Sequence, residues 1–503
     1  MSTVVPTGDA TVIGVISSGI WHIPYLALFL PLPVHRVFWH LPHQLDRPVV
    51  VGWGRRPSFD HAAAYARRHA CPVWTLEDGF LRSIGLGSQG YAPLSLVIDD
   101  LGIYFDAYQP SRLERLIEQG VDETVRAHAC IQLIQQYQLS KYNHAPIKNI
   151  QTTAHQLNIL VVDQTVGDQS VATGGATADS FVQMLQTAQH NHPDAMIWIK
   201  THPEVSAKQK KGYLSDVMPS ARVQLLTEAM NPIALLAHMD AVYVVSSHLG
   251  FEALMLNKPV YCFGVPWYAG WGLTQDQYAP LHLLQHRRHV PRTLTQLFTA
   301  AYIQYARYIN PITAQACSIE EAMDWLIRSV YWNRQLQGDF YVLGFSRWKV
   351  KYLKKKLNLP ALHWRSVKRL PSKIPESSQV MVWGRYPIDP LLAQRHRIWR
   401  MEDGFIRSVG LGAKLIRPMS LMLDSEGIYY DPVRPSLLET WLNQAVLSQQ
   451  QQQRARVLIQ TIIDLAISKY NVGEAEAWPI IPTGRRCILV AGQVEDDASV
   501  RCG

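Results

Sequence analysis

The chain has 503 residues, 48% of them hydrophobic, and a formal charge of +8 at pH 7. That length is too great for one compact unit and predicts several cores, while the positive balance points to acidic partners: nucleic acid, an anionic membrane surface or a carboxylated sugar. Cys71, Cys130, Cys262, Cys317, Cys487 and Cys502 stand far apart without C-x-x-C pairing, which argues against a zinc knuckle or a disulfide framework and for free thiols in a reducing compartment.

The first apolar stretch, Thr11 to Pro33, could pass for a signal or membrane anchor, but its N-terminal flank carries Asp9 and no Lys or Arg. A buried strand and helix are expected there. Short apolar runs follow at Pro48 to Gly52, Asn158 to Val162, Met196 to Ile199, Ala241 to Val245 and Val260 to Phe263, separated by helical stretches and bounded by Gly, Pro or polar turns. This alternation predicts an α/β fold of parallel sheets covered by helices, with ligands at the carboxyl ends of the strands. Two facing domains of this kind enclose a cleft, the GT-B arrangement of many glycosyltransferases.

The chain also repeats itself. Glu77-Asp78-Gly79-Phe80-Leu81-Arg82-Ser83 returns 325 positions on, from 77 to 402, as Glu402-Asp403-Gly404-Phe405-Ile406-Arg407-Ser408. The same shift carries Asp99, Tyr104 and Asp106 onto Asp424, Tyr429 and Asp431. With small insertions, Trp53-Gly54-Arg55 pairs with Trp383-Gly384-Arg385, and Ser140-Lys141-Tyr142-Asn143 with Ser468-Lys469-Tyr470-Asn471. Gln164, Asp168 and Ser170 align with Gln493, Asp497 and Ser499, and nothing after Gly175 has a second copy before Gly503. Tandem Rossmann-like domains are expected at 1–150 and 151–332 for the first copy, and at 333–480 for the second, with 481–503 opening a further, incomplete one. Sugar transfer is expected of the first copy alone, since the second has no counterpart of His202, Ser246 or Ser247 in this sequence.

Four constellations can carry chemistry. Glu77-Asp78-Gly79, after the strand-like Val73-Trp74 and before Arg82, places acidic groups at a strand end, where they suit a general base or substrate hydroxyls; an acidic structural turn is the alternative. Gln164 to Ser170 follows an apolar strand and presents Asp168, either as a nucleophile at an anomeric carbon or as the cap of a helix beginning near Thr177. Lys200-Thr201-His202-Pro203 ends another strand, with Pro203 stopping it and His202 held in the following loop, a phosphate ligand or a plain turn histidine. Ser246 and Ser247 open a helix that runs through Gly250 and Glu252 towards Lys258-Pro259, so they either hold a phosphate, with Gly250 permitting close approach, or simply cap the helix. No Asp-x-Asp, His cluster or Cys pair offers metal ligands, so no metal is expected and protein donors must meet the leaving-group charge. No Walker loop, helix-turn-helix, RNP or zinc-finger pattern occurs, which sets aside ATP hydrolysis by that route and nucleic acid as a partner.

From Arg347 to Lys373 ten basic residues, with Trp348, Tyr352, Leu353, Leu357 and Trp364 interleaved, occur without an acid. Such a stretch suits an anionic membrane surface or forms a solvated basic face.

Glu-Asp-Gly-Phe-Leu-Arg-Ser, His202-Pro203, Ser246-Ser247 with the helix to Lys258-Pro259, and Pro266-Trp267-Tyr268-Ala269-Gly270-Trp271-Gly272-Leu273-Thr274 together resemble the KpsC family of capsule polysaccharide biosynthesis and export proteins, along nearly the whole chain. The resemblance implies a retaining β-Kdo glycosyltransferase that moves Kdo, an acidic keto-sugar, from CMP-Kdo to a Kdo-primed phosphatidylglycerol glycolipid, with the first copy forming the 2→4 linkage. It implies a cytoplasmic protein peripheral to the inner membrane, in contact with other capsule assembly proteins. By the same resemblance Asp168 is the catalytic carboxylate, Glu77 and Asp78 line the acceptor side, and Lys200, His202, Ser246, Ser247 and Glu252 hold CMP; Arg82, Gln164, Ser170 and Gly250 are the further substrate-binding candidates. Glu402, Asp403, Arg407, Gln493, Asp497 and Ser499 are the counterparts in the second copy. A CMP-sialic acid transferase and a non-catalytic scaffold of the capsule export machinery are the competing readings.

Overall fold

The computed structural model describes residues 8–38, 45–152, 155–201, 211–371, 373–412, 415–447 and 449–473, and, towards the end, 484, 486, 488–493, 495 and 498–502. The chain divides into two compact units, Met1–Arg334 and Gln335–Gly503.

In the first unit, among the described residues, twelve strands build two sheets. β1 (Val12–Val15), β2 (Val34–Arg36), β3 (Pro48–Trp53), β4 (Val73–Asp78) and β5 (Ser95–Asp99) are followed by β6 (Asn158–Val162), β7 (Met196–Lys200), β8 (Val223–Leu226), β9 (Ala241–Val244) and β10 (Val260–Cys262), then by β11 (Ala306–Asn310) and β12 (Gln315–Cys317). The first sheet runs β12-β11-β5-β4-β3-β1-β2 and the second β10-β9-β6-β7-β8. The second is wholly parallel, and its central strand β6 is buried at every position, as a strand covered on both faces by helices must be. In the first sheet β4, β3, β1 and β2 are parallel, while β5, β11 and β12 pair antiparallel.

The apolar runs become strands because β-branched and other aliphatic residues fill both faces. Val49, Val50 and Val51 are fully buried in β3, and Ile159, Leu160 and Val161 in β6; each such side chain contributes about 1.5–3 kcal/mol by leaving water. The stretch from Thr11 to Pro33 forms β1 and the short helices Ser18–Trp21 and Leu26–Phe29, whose Ile20, Leu26 and Phe29 join the core of the first sheet. Among the described residues no helix is long and apolar enough to cross a membrane.

Residues 306–317 differ from the sequence division, which groups them with the second half. As β11 and β12 they return to the first sheet, where Ala306, Arg307 and Tyr308 pair with Val97, Leu96 and Ser95 of β5. Without them β5 would be an open edge.

The second unit holds one described sheet, ordered β14-β13-β15-β16-β17, from β13 (Gly338–Leu343), β14 (Leu362–Ser366), β15 (Gln379–Trp383), β16 (Ile398–Asp403) and β17 (Leu421–Asp424). This order matches β2-β1-β3-β4-β5, including the antiparallel last pair. Side-chain environments differ: Phe80 is 1% exposed, packed among His248, Trp267 and Tyr302, whereas Phe405 is 54% exposed.

Candidate functional site

A cleft of about 1350 Å³ opens in the first unit where the carboxyl ends of β4, β6, β7 and β9 converge. Glu77, Asp78, Arg82, Gln164, Asp168, Ser170, Lys200, Ser246, Ser247 and Glu252 all line it. The chain positions predicted from four separate strand ends therefore share one cavity. Gly250 does not line it, and His202 and Asp497 lie outside the described residues.

On the side of the first sheet, Glu77 and Asp78 end β4. Glu77 Oε1 accepts from the Asp78 N–H at 3.1 Å, and Asp78 Oδ1 accepts from Arg82 Nε at 3.1 Å. Arg82 is nearly buried, and its Nη1 donates to Ser83 Oγ at 2.9 Å, so the guanidinium is fixed from two directions. Gly79 is required by contact: a Cβ there would stand 2.2 Å from Ser95 Oγ, whose hydroxyl donates to the Leu81 carbonyl at 2.7 Å. Burial raises the Glu77 carboxyl to about 7, aided by the Asp78 charge and opposed by Lys141 and Arg56. A group poised there can take a proton near neutral pH.

On the side of the second sheet, the turn after β6 is tied to the turn after β9. Gln164 Nε2 donates to Asp168 Oδ2 at 3.1 Å and to Ser246 Oγ at 3.0 Å, while Gln164 Oε1 accepts from the Ser246 N–H at 3.1 Å. Ser170 Oγ donates to Asp168 Oδ1 at 2.8 Å and lies 2.9 Å from Ser246 Oγ. Asp168 is also a helix cap, but of Gln169–Thr173, where its carboxylate accepts from the Ser170 N–H at 3.0 Å; the helix Ala178–Asn191 is capped by Thr177 instead. That short helix reaches across the cleft, since the Ala107 N–H donates to the Thr173 carbonyl at 2.9 Å and Thr173 Oγ1 donates to the Phe105 carbonyl at 3.0 Å.

The serines are not equivalent. The helix after β9 is Leu249–Met255, with His248 as its N-terminal flank, and Ser247 Oγ accepts from the Leu249 N–H at 3.3 Å. Ser246 belongs instead to the Gln164 network. Gly250, expected to admit a phosphate, meets a different neighbour: a Cβ would stand 2.2 Å from the Tyr268 hydroxyl, which donates to the Ser247 carbonyl. Its small size serves packing beneath the serine turn.

Lys200 ends β7 almost buried, and burial lowers its pKa, with Glu252 pulling the other way. Glu252 is 3% exposed and accepts from Ser140 Oγ at 2.6 Å; burial raises it to about 7. The Lys200 ammonium and the Ser246 and Ser247 hydroxyls form a surface suited to an anion, on the opposite sheet from Glu77 and Asp78.

Sequence reasoning assigned no role to Lys141, Tyr142 or His248, which also line the cleft. Tyr142 donates to Asp78 Oδ2 at 3.3 Å, and His248 Nε2 lies 3.0 Å from the Tyr302 hydroxyl. Burial, with Lys141 nearby, lowers the His248 imidazole to about 3, so it stays neutral. Repetition of Ser-Lys-Tyr-Asn was the available signal for Lys141 and Tyr142.

The second unit reproduces the acidic turn. Glu402 Oε1 accepts from the Asp403 N–H at 3.0 Å, and Asp403 Oδ2 accepts from Arg407 Nε at 2.6 Å. Gln493 Nε2 donates to Ser499 Oγ at 3.2 Å, as Gln164 Nε2 does to Ser170 Oγ at 3.3 Å. In the basic stretch, the helix Arg347–Lys356 turns its apolar side inward rather than outward: Leu353 is 1% exposed, Tyr352 donates to the Pro418 carbonyl at 2.6 Å, and the Lys349 ammonium lies 3.2 Å from the Trp383 ring centroid. Lys351, Lys354, Lys355 and Lys356 remain exposed.

Comparison with known proteins adds a family context. The family described as capsule polysaccharide biosynthesis protein matches residues 48–308 and 391–475. The capsule polysaccharide modification protein LipA of Neisseria meningitidis serogroup A is 42% identical over 97% of this chain and 71% of its own length. The lipopolysaccharide-processing protein LpsZ of Rhizobium meliloti is 38% identical over 56% of this chain and 64% of its own. Among solved structures, Thermosulfurimonas dismutans KpsC, described as a beta Kdo 2,4 transferase, matches with a TM-score of 0.59 and 41% identity, covering 64% of this chain and 99% of that one.

Proposed function

Because this chain belongs to the capsule polysaccharide biosynthesis family, we propose that its first unit is a Kdo glycosyltransferase that takes the sugar from CMP-Kdo and adds it to a Kdo-bearing phosphatidylglycerol glycolipid. The observation that carries this reading is the Gln164 side chain, which joins the Asp168 carboxylate to the Ser246 hydroxyl at 3.1 and 3.0 Å inside the cleft that also holds Glu77 and Asp78. A nucleophile, an anion-binding wall and an acid/base group within one cavity are what sugar transfer from a nucleotide requires.

In the first step an Asp168 oxygen bonds to the anomeric carbon as the carbon–phosphate oxygen bond breaks, and CMP leaves with the electron pair. Lys200, Ser246 and Ser247 meet the charge that develops on its phosphate. In the second step an acceptor hydroxyl attacks the same carbon from the vacated face, its proton passes to Glu77, and Asp168 is released. Two displacements retain configuration. The 2→4 linkage is supported by the 41% identity to the KpsC structure described as a 2,4 transferase. Protein donors alone serve the leaving group in this reading, and the exposed lysines of residues 351–356 hold the protein at an anionic membrane surface.

The test is competition between CMP-Kdo and CMP-sialic acid with a synthetic Kdo-primed lipid acceptor. Transfer of Kdo alone is expected. Preferential sialic acid transfer would replace the donor assignment, and a folded protein that transfers neither sugar would favour a scaffold role.

A further inference from the structure

The repeated Ser-Lys-Tyr-Asn turn has no role in the reaction above, yet its Ser140, Lys141 and Tyr142 line the cleft. Ser140 Oγ donates to Glu252 at 2.6 Å, Tyr142 donates to Asp78 Oδ2 at 3.3 Å, and Asn143 Nδ2 donates to the Ser83 carbonyl at 3.0 Å. The Lys141 carbonyl accepts from the Arg82 and Ser83 N–H groups at 3.0 and 3.3 Å, which fastens the turn to the loop that follows Glu77 and Asp78. Its ammonium lines the cleft 5.9 Å from the Tyr142 ring centroid.

The second unit builds the same turn. The Lys469 carbonyl accepts from the Arg407 and Ser408 N–H groups at 2.9 and 3.2 Å, Asn471 Nδ2 donates to the Ser408 carbonyl at 3.1 Å, and the Lys469 ammonium lies 5.5 Å from the Tyr470 ring. Twice in one chain, the turn carries a lysine on a tyrosine face beside an acidic pair. We propose that Lys141, on the turn fastened to the loop after Glu77 and Asp78, is a positioning residue that favours the carboxylate form of Glu77 facing the acceptor hydroxyl, a role that rests on the reading of Glu77 as the base.

The groups facing Glu77 support this. Asp78 lies on its own strand, Arg56 precedes the helix Pro57–His69, Tyr104 follows β5, Lys141 and Tyr142 sit on the turn, and Tyr305 precedes β11. Asp78 opposes ionisation of Glu77; Arg56 and Lys141 favour it, and Lys141 is the stronger. Lys141 is itself held above its ordinary value: burial acts against its charge, but Tyr104, Tyr142, Asp78 and Glu77 outweigh it. A cation that stays charged beside a desolvated carboxylate favours the carboxylate form.

Two measurements test the role. In K141M the acidic limb of the kcat/KM profile for Kdo transfer should move up by about one pH unit or more, and in K141R it should stay near the wild-type position. In substrate-free protein, carbodiimide coupling at Glu77 followed by peptide mass spectrometry reads the protonated carboxyl directly, and its pH midpoint should rise in K141M and in the polar variant K141Q. An unmoved midpoint in both variants overturns the proposal, and so does a raised KM with an unmoved acidic limb, which would make Lys141 a substrate anchor. Absence of Kdo transfer by wild-type protein would refute the parent function, while the coupling midpoint would still decide the effect of Lys141 on Glu77.

Discussion

Gln164 Nε2 stands 3.0 Å from Ser246 Oγ, and this contact joins the turn after β6 to the turn after β9. The same amide holds Asp168 Oδ2 at 3.1 Å, so one side chain sets both a carboxylate and a hydroxyl. Hydrogen bonds to charged groups contribute about 1.5–3 kcal/mol. Q164A should therefore lower kcat/KM about 10- to 100-fold with little change in melting temperature, as steady-state kinetics and a thermal scan on the same preparation will show.

Arg82 and Asp78 form an ion pair whose side chains are 9% and 17% exposed. Removing one member of a buried pair typically costs about 3–5 kcal/mol, because the survivor is left uncompensated. R82A should lower the urea midpoint of the first unit sharply. R82K should recover only part of the loss, since a lysine lacks the fork that reaches both Asp78 and Ser83.

Glu252 gives a pH prediction with a definite sign. Its folded-state value of about 7 lies above the ordinary 4.5, so between those limits the folded protein binds the proton more tightly than the unfolded chain. Stability contributed by the protonated group is present below about 4.5 and is lost as pH rises towards 7. E252Q, which mimics the neutral acid, should gain on the wild type as pH rises from about 5 to 8. Denaturant titrations across that range supply the comparison, and a constant difference between the two proteins would contradict it.

Much of this arrangement was legible in the sequence because short runs rich in Val and Ile report buried parallel strands, and the residues after them must sit at the carboxyl edge. Glu77, Asp168, Lys200 and Ser246 share a cleft for that reason. Gly250 was misread because a small residue on a helix signals close approach without saying to what; the neighbour is Tyr268. Lys141 was passed over because a lysine in a polar turn ordinarily faces water, and only tertiary placement puts it among Tyr104, Asp78 and Glu77. The return of β11 and β12 to the first sheet is likewise a non-local pairing that no local pattern announces.

The basic helix Arg347–Lys356 makes an electrostatic prediction. With Leu353 turned inward, the proposed membrane contact would rest on exposed lysines rather than on insertion. At about 1 kcal/mol for each basic residue near an anionic surface, replacing Lys354, Lys355 and Lys356 with Gln should weaken binding to phosphatidylglycerol vesicles about 100-fold. Wild-type binding should fall as salt rises. Vesicle sedimentation at several ionic strengths measures both.

The most direct test of the central claim is to quench the protein after mixing with CMP-Kdo alone and map any covalent sugar by peptide mass spectrometry. Kdo attached to Asp168, absent from D168A together with transfer activity, is the predicted result. D168A that folds and transfers Kdo at the wild-type rate would contradict the account.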